Sequence, residues 1–229
     1  MLVIYNCIES REGYAVSHQT NVQFNRAQLV DLLNLSGADK DWFTKILELF
    51  KPNHGIRSIA LDDIRSGFQD LKPELLDQYD SFRALLPTVA PFSFVPVEMM
   101  ALLTARAGTL ARPGLGLREA ANRWSRLGSK RFFKNPLFLM SRQAADNKFE
   151  DFLEMSANNQ VFNFGQTKLY RVGSRHYEQV CIEQYSEWGE VTTMPFFESL
   201  LEEFQLKGKV EFEARGPYEF QVDIQWDAA

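Results

Sequence analysis

The sequence predicts an α+β fold, a helical N-terminal part packed on an antiparallel sheet formed mainly by the C-terminal third. Three observations predict it. Apolar residues recur at helical spacing through most of the first 157 positions. From about residue 158, short aromatic and β-branched runs punctuated by glycine replace them. The last such run alternates strictly between apolar and polar. No repeat, low-complexity tract or long linker interrupts the 229 residues, so a single domain over 1–229 is predicted, helical to about 157 and β-rich over 158–227.

Taken in order, Leu2-Val-Ile-Tyr-Asn-Cys-Ile8 is apolar and β-branched and predicts an opening strand. Asn25 with Gln28 three positions on resembles a capping box. Leu29, Leu32 and Leu33 carry that helix towards a stop at Gly37. Trp42, Ile46, Leu49 and Phe50 mark one face of a second helix, which Pro52-Asn53-His54-Gly55 breaks. Residues 61–86 keep helical spacing, with breaks at Gly67 and Pro73. Pro87, Pro91 and Pro96 delimit an irregular connection, and Pro96 suits the first turn of a helix carrying Met99, Met100, Leu102 and Leu103. A loop over 112–116 precedes a helix from Leu117 to Leu127, with Gly128 as its stop. Pro136 divides the helical stretch from Phe132 to Met155.

The β-rich part begins with Val161, Phe162, Phe164, Leu169, Tyr170 and Val172, which spell a hairpin around Gly165 and Gly173. Tyr177 to Tyr185 is apolar on both faces, as a central strand would be. Thr193 is placed to cap a helix with a stripe of Phe196, Phe197, Leu200, Leu201 and Phe204, and Val210 and Phe212 mark a strand before the Gly216-Pro217 turn. Finally Tyr218, Phe220, Val222, Ile224 and Trp226 alternate with Glu219, Gln221, Asp223 and Gln225, a strand with one dry and one wet face.

Composition narrows the function classes. With 45% hydrophobic, 24% charged and 13% aromatic residues, the chain reads as an ordinary globular protein. At this length it buries roughly 70% of its unfolded surface without the aid of a metal or disulfide. No apolar run approaches the ~18 residues of a membrane span, and no basic-then-apolar leader opens the chain, so a cytoplasmic location is expected. Cys7 and Cys181 fit a reducing compartment, each as a small buried hydrophobe. Net charge is −5, but the window Arg106–Arg142 holds nine Lys/Arg against Glu119 alone, a surplus of +8 that leaves −13 for the remainder.

Of the three histidines, His18, His54 and His176, none lies three or four positions from another histidine or a cysteine, so neither a metal site nor a cofactor is predicted. His54 is expected exposed in its turn and His176 hydrogen-bonded in a structural role. There is no Gly-x-Ser-x-Gly elbow and no phosphate loop, and Gly114-Leu-Gly116 lacks the third glycine of a dinucleotide fingerprint, so no catalytic residue is assigned. An enzyme built on Tyr170, His176 and Glu183 ranks last. The candidate ligand set is basic: Arg118, Arg123, Arg126, Lys130, Arg131 and Lys134, beside Phe132 and Phe133. Converging guanidinium forks would grip phosphate or carboxylate. The alternative is a solvated helix whose charges balance the acidic remainder. A pI near 5.4 weighs against nucleic acid and leaves a small anion or an acidic protein.

The closing layout, a Leu200-Leu201 helix, a strand ending near Phe212, a Gly-Pro turn and Tyr218-Glu-Phe-Gln-Val-Asp-Ile-Gln-Trp226, resembles a ligand-binding superfamily. Its members include four-vinyl-reductase-type domains, transport-particle (TRAPP) subunits and haem-nitric-oxide sensors. Phe94-Val-Pro-Val-Glu-Met-Met100 and Leu117-Arg-Glu-Ala-Ala-Asn-Arg-Trp-Ser-Arg-Leu-Gly128 resemble one branch, an uncharacterised myxobacterial paralogue family of unknown function. The resemblance spans residues 20–227 and implies a non-catalytic ligand- or partner-binding regulatory module; because related folds pair, it also implies a protein partner or homodimer. The haem sensors carry a proximal histidine and a Tyr-x-Ser-x-Arg motif. Here Tyr170-Arg-Val-Gly-Ser-Arg175 has different spacing, and no cysteine lies between Lys207 and Trp226 to hold a metal.

Overall fold

The structure, a computed structural model, describes residues 23–90, 93–146, 148–157 and 165–227. The opening strand Leu2–Ile8, Cys7, His18, Pro91 and the first arm of the hairpin, Val161 to Phe164, lie outside the described residues. The fold is α+β, with helices concentrated before residue 157 and a four-stranded antiparallel sheet in the C-terminal third. The chain divides into two compact units between Trp124 and Ser125.

In the first unit α1 (Arg26–Leu32) starts as the sequence implies, with Asn25 Oδ1 accepting from the Gln28 amide at 3.1 Å. Asn34 at φ 52° ends it, not Gly37. Gly37 instead opens α2 (Gly37–Leu49), because Ser36 caps the Asp39 amide at 3.3 Å. The buried face of α2 is Phe43, Ile46 and Leu47, continued by Phe50, so it lies a residue away from the predicted Trp42 stripe. A two-stranded sheet pairs β1 (Gly55–Arg57) with β2 (Phe94–Pro96), Ile56 opposite Val95. Three-residue strands are too short to show a period, which is why the sequence reads as turn and connection there.

Between them α3 (Ile59–Leu71) runs through Gly67, and the break comes at Lys72–Pro73 before α4 (Leu76–Arg83). Helix α5 (Val97–Ala111) is the centre of this unit, with Ala101, Leu102, Leu103, Ala105 and Ala107 all fully buried. Its acid, Glu98, is only 8% exposed and is gripped bidentately by Arg26 at 2.5 and 2.9 Å, as a sequestered charge requires. A Cβ on Gly108 would lie 3.0 Å from the Ala120 backbone, so α5 and the next helix cross in close contact. That helix, α6 (Leu117–Phe132), continues through Gly128. The cost of an interior glycine, about 1 kcal/mol, is outweighed by burial of Phe132 in the next turn.

The second unit contains the C-terminal turns of α6, then α7 (Pro136–Ala144) and α8 (Phe149–Ala157). The sheet follows in the order β3-β4-β6-β5 from β3 (Gln166–Gly173), β4 (His176–Ile182), β5 (Gly208–Gly216) and β6 (Glu219–Trp226), with α9 (Ser186–Glu203) between β4 and β5. Helix α9 starts at Ser186, two turns before the predicted cap at Thr193. It keeps Pro195 in its interior, leaving the Val191 carbonyl without its usual donor. Burial of Trp188 and Val191 explains the extension. The alternation of β6 is borne out: Phe220, Val222, Ile224 and Trp226 join Tyr177, Cys181, Phe152 and Leu200 in one core. Tyr177 stacks on Trp226 at 5.9 Å and Phe149 meets the same indole edge-on at 4.8 Å.

Helix α9 approaches the sheet tightly at Gly189, where an added Cβ would fall 2.7 Å from the Phe220 ring. Phe220 is 1% exposed and has no room to retreat. Gly189→Ala is expected to destabilise the chain by about 1–3 kcal/mol through overpacking, read as a lower urea midpoint. An unchanged midpoint would show that the ring can move aside.

Candidate functional site

A cavity of about 420 Å³ opens in the first unit among α3, α4, α5 and the segment after α4. Helical spacing sets its chemistry. Leu61 and Arg65 lie one turn apart on α3, and Met99 and Leu103 one turn apart on α5, so apolar side chains line it from two helices while α3 and α4 supply charge. The charges are paired. Arg65 holds Asp80 bidentately at 2.8 and 2.6 Å, and Arg83 donates to Asp62 at 2.7 Å. These pairs are one-third to two-thirds exposed, so they are a wet wall rather than a buried network. Next to Asp80, Tyr79 is fully buried against Phe68 at 4.9 Å; its hydroxyl has no hydrogen-bond partner among the described residues, and burial raises its pKa. Two acids and two bases with apolar side chains beside them suit a small amphipathic molecule with no large net charge.

The six sequence-predicted basic residues are divided. Arg118 and Arg123 belong to the first unit: the Arg118 guanidinium lies 4.9 Å over the Trp42 ring, and Arg123 pairs with Glu119 at 2.6 Å one turn earlier. Arg126, Lys130, Arg131 and Lys134 belong to the second. There Arg126 reaches Glu198 at 3.0 Å and also Glu202, and Lys130 reaches Glu202 at 2.9 Å. Positions 126 and 130 on α6 thus meet 198 and 202 on α9, each pair one turn apart. Arg142 adds a bond to Glu203 at 2.9 Å and lies 4.6 Å over Phe204. Glu202 and Glu203 are therefore partners of the basic window.

Residue by residue, the remaining chemistry is quiet. Cys181 is 1% exposed, and burial pushes its thiol up to about 11 despite contacts from Gln179 and Thr167 that favour the thiolate. His54 is buried at 5% exposure rather than open to solvent as its turn suggests, because its carbonyl accepts from the Val97 amide and ties the turn to the start of α5. His176 accompanies Asp223 on the neighbouring strand, with Nε2 3.1 Å from Oδ1, and Glu178 completes a three-residue donor group. Sequence spacing missed this group because its members sit at i, i+2 on one strand and across the ladder on another. The available signal was β-strand alternation, not helical spacing.

Two measurements follow from these environments. Lys130 foremost, then Arg126, holds the Glu202 carboxyl below its usual 4.5, so its contribution is complete above that value and is lost as pH falls through the depressed folded value. Glu202→Gln is expected to lower stability at pH 7 by about 0.5–1 kcal/mol, a difference that vanishes in the acid limb of a pH series of urea melts. In a Cys7→Ser chain, Cys181 should resist a thiol reagent at pH 8 until denaturant is added, and rapid labelling of the folded chain would contradict its burial.

No protein-family model and no curated protein matches this sequence. Solved structures do. A double variant of the Tt H-NOX protein superposes with a TM-score of 0.57 at 13% identity, covering 76% of this chain and 96% of that one. An oxygen-binding H-NOX domain related to soluble guanylate cyclases, in its oxygen complex, gives 0.51 at 11% identity over 76% and 96%. A variant of the Fe(II) unliganded H-NOX protein from K. algicida gives 0.51 at 8% identity over 76% and 97%. The haem that this fold implies does not fit the described residues. His54 is packed in a turn, His176 is a sheet residue whose Nε2 faces Asp223, and Tyr170 is an exposed strand residue paired in register with Glu178. The likeness is one of fold: the chain is built as H-NOX domains are, without an axial histidine on any described helix.

Proposed function

We propose that this chain is a non-catalytic, cytoplasmic ligand-binding regulatory module, and that its ligand is a small amphipathic molecule seated in the cavity of the first unit. The observation that carries this reading is the cavity itself: apolar side chains from α3 and α5 beside two Arg–Asp pairs. Support comes from the architecture shared with an oxygen-binding H-NOX domain and from the protonated state of Cys181, which makes it a poor nucleophile. A protein partner or second copy would receive the signal. Anion binding by Arg118, Arg123, Arg126, Lys130, Arg131 and Lys134 is the lower-ranked reading, because an anion at Arg126 or Lys130 has to displace Glu198 or Glu202.

The fluorescent amphiphile 8-anilinonaphthalene-1-sulfonate tests the cavity. Ala84 lines it from an exposed position, so Ala84→Trp obstructs the space without disturbing the core. One saturable site in the unmodified chain, weakened about tenfold or more in Ala84→Trp at unchanged thermal stability, is the expected outcome; that loss corresponds to about 1.4 kcal/mol. Equal binding by both proteins overturns the assignment of the cavity.

A further inference from the structure

The core of the second unit lies on one face of its sheet, and the opposite face carries a group for which the ligand-binding reading has no use. On β4 the residues alternate, Tyr177 and Cys181 into the core and His176 and Glu178 away from it. On β6 the same alternation sends Val222 and Ile224 inward and Asp223 outward. The antiparallel register sets Glu178 directly opposite Asp223 and His176 opposite Gln225, one step along the same face. The result is one imidazole nitrogen and two carboxylate oxygens whose donor atoms all lie within 4.8 Å of one another.

Three features make this more than a chance meeting of polar side chains. Two carboxylates directly opposite on neighbouring strands repel, and the Glu178 carboxylate has no ion pair or hydrogen bond among the described residues to offset that. Asp223 is oriented from behind: Gln221, only 5% exposed, donates Nε2 to Oδ2 at 3.0 Å, while Arg215 donates to the Gln221 carbonyl. Such outer support leaves Asp223 Oδ1 turned to His176 and is the arrangement that pre-organises a metal ligand. Finally, all three donors stand on two hydrogen-bonded strands, so little entropy is lost in gathering them.

We propose that His176 Nε2, Glu178 and Asp223 form a binding site for a divalent first-row transition metal. One imidazole with two carboxylates suits zinc, manganese or ferrous iron, whereas magnesium prefers oxygen ligands and several of its own waters. Three protein ligands leave at least one coordination position open, and the side chains of His176 and Asp223 are 28% and 22% exposed, so water or a small anion has access to it. The site lies within the second unit and stands or falls independently of the cavity in the first.

Isothermal titration of the chelator-treated full chain with zinc chloride, alone and against magnesium chloride, tests the assignment. One zinc ion per chain is expected, with magnesium at least tenfold weaker. Glu178→Gln and Asp223→Asn, isosteric changes on a half-exposed face, should each reduce zinc affinity at least tenfold. Gln221→Ala should reduce it by a smaller factor, within the roughly 10- to 100-fold range of outer-shell substitutions. Cobalt(II) supplies a second readout: its visible absorption bands should appear in the unmodified chain and be lost in His176→Gln. Absence of zinc binding overturns the proposal, as does zinc binding that Glu178→Gln and Asp223→Asn leave unchanged, or magnesium binding as tight as zinc.

Discussion

The second unit depends on one constraint, that a four-stranded antiparallel sheet must bury one face and can wet the other. Strand β6 obeys it at its apolar positions, with Gln221 alone buried on the polar face, and its neighbours inherit its register. The dry face is filled by rings: Tyr177 stacks on Trp226, which Phe149 meets edge-on, and Phe204 links Phe149 to the cluster of Phe152, Phe138, Phe133 and Phe132. Each fully buried aromatic contributes about 1.5–3 kcal/mol of transfer free energy before entropy is counted. This core positions α9, and α9 in turn places its acids beside α6. The opposite face buries Val180 and Gln221 at one register position and leaves His176 and Asp223 partly exposed beside them, which is where polar chemistry can collect.

Charge is organised by the same packing. The basic window looks like an open anion patch when read along the chain, yet most of its members are distributed over specific neighbours. Arg106 reaches the Leu32 carbonyl at the end of α1 and lies 5.5 Å over Phe82; Arg118 covers Trp42; Arg126, Lys130 and Arg142 hold Glu198, Glu202 and Glu203. Half-exposed pairs of this kind contribute little stability individually. The Arg126 and Lys130 pairs match one face of the C-terminal turns of α6 with one face of α9.

The likeness to H-NOX domains concerns architecture. Among the described residues, a buried turn histidine, a sheet histidine facing an aspartate and a thiol held protonated by burial do not make an axial haem site. A fold that presents a cavity in one unit and a polar sheet face in the other can accept different ligands by changing a few side chains, which is how one scaffold serves several chemistries.

Local pattern alone was enough to determine the α+β class, the Asn25 cap, the breaks at Pro73 and Pro136, and the two faces of β6, because each depends on neighbours within a few residues. The element end expected at Gly37 is set instead by local geometry, Asn34 in the left-handed region and the Ser36 cap, whereas at Gly128 and Thr193 burial of Phe132 and Trp188 outweighs a local stop or start signal, and burial depends on distant parts of the chain. The cavity, the α6–α9 ion pairs and the His176–Glu178–Asp223 group were decided only by tertiary structure. Their members are separated by up to 76 positions, and no period along the chain encodes which helix or strand comes to lie beside another.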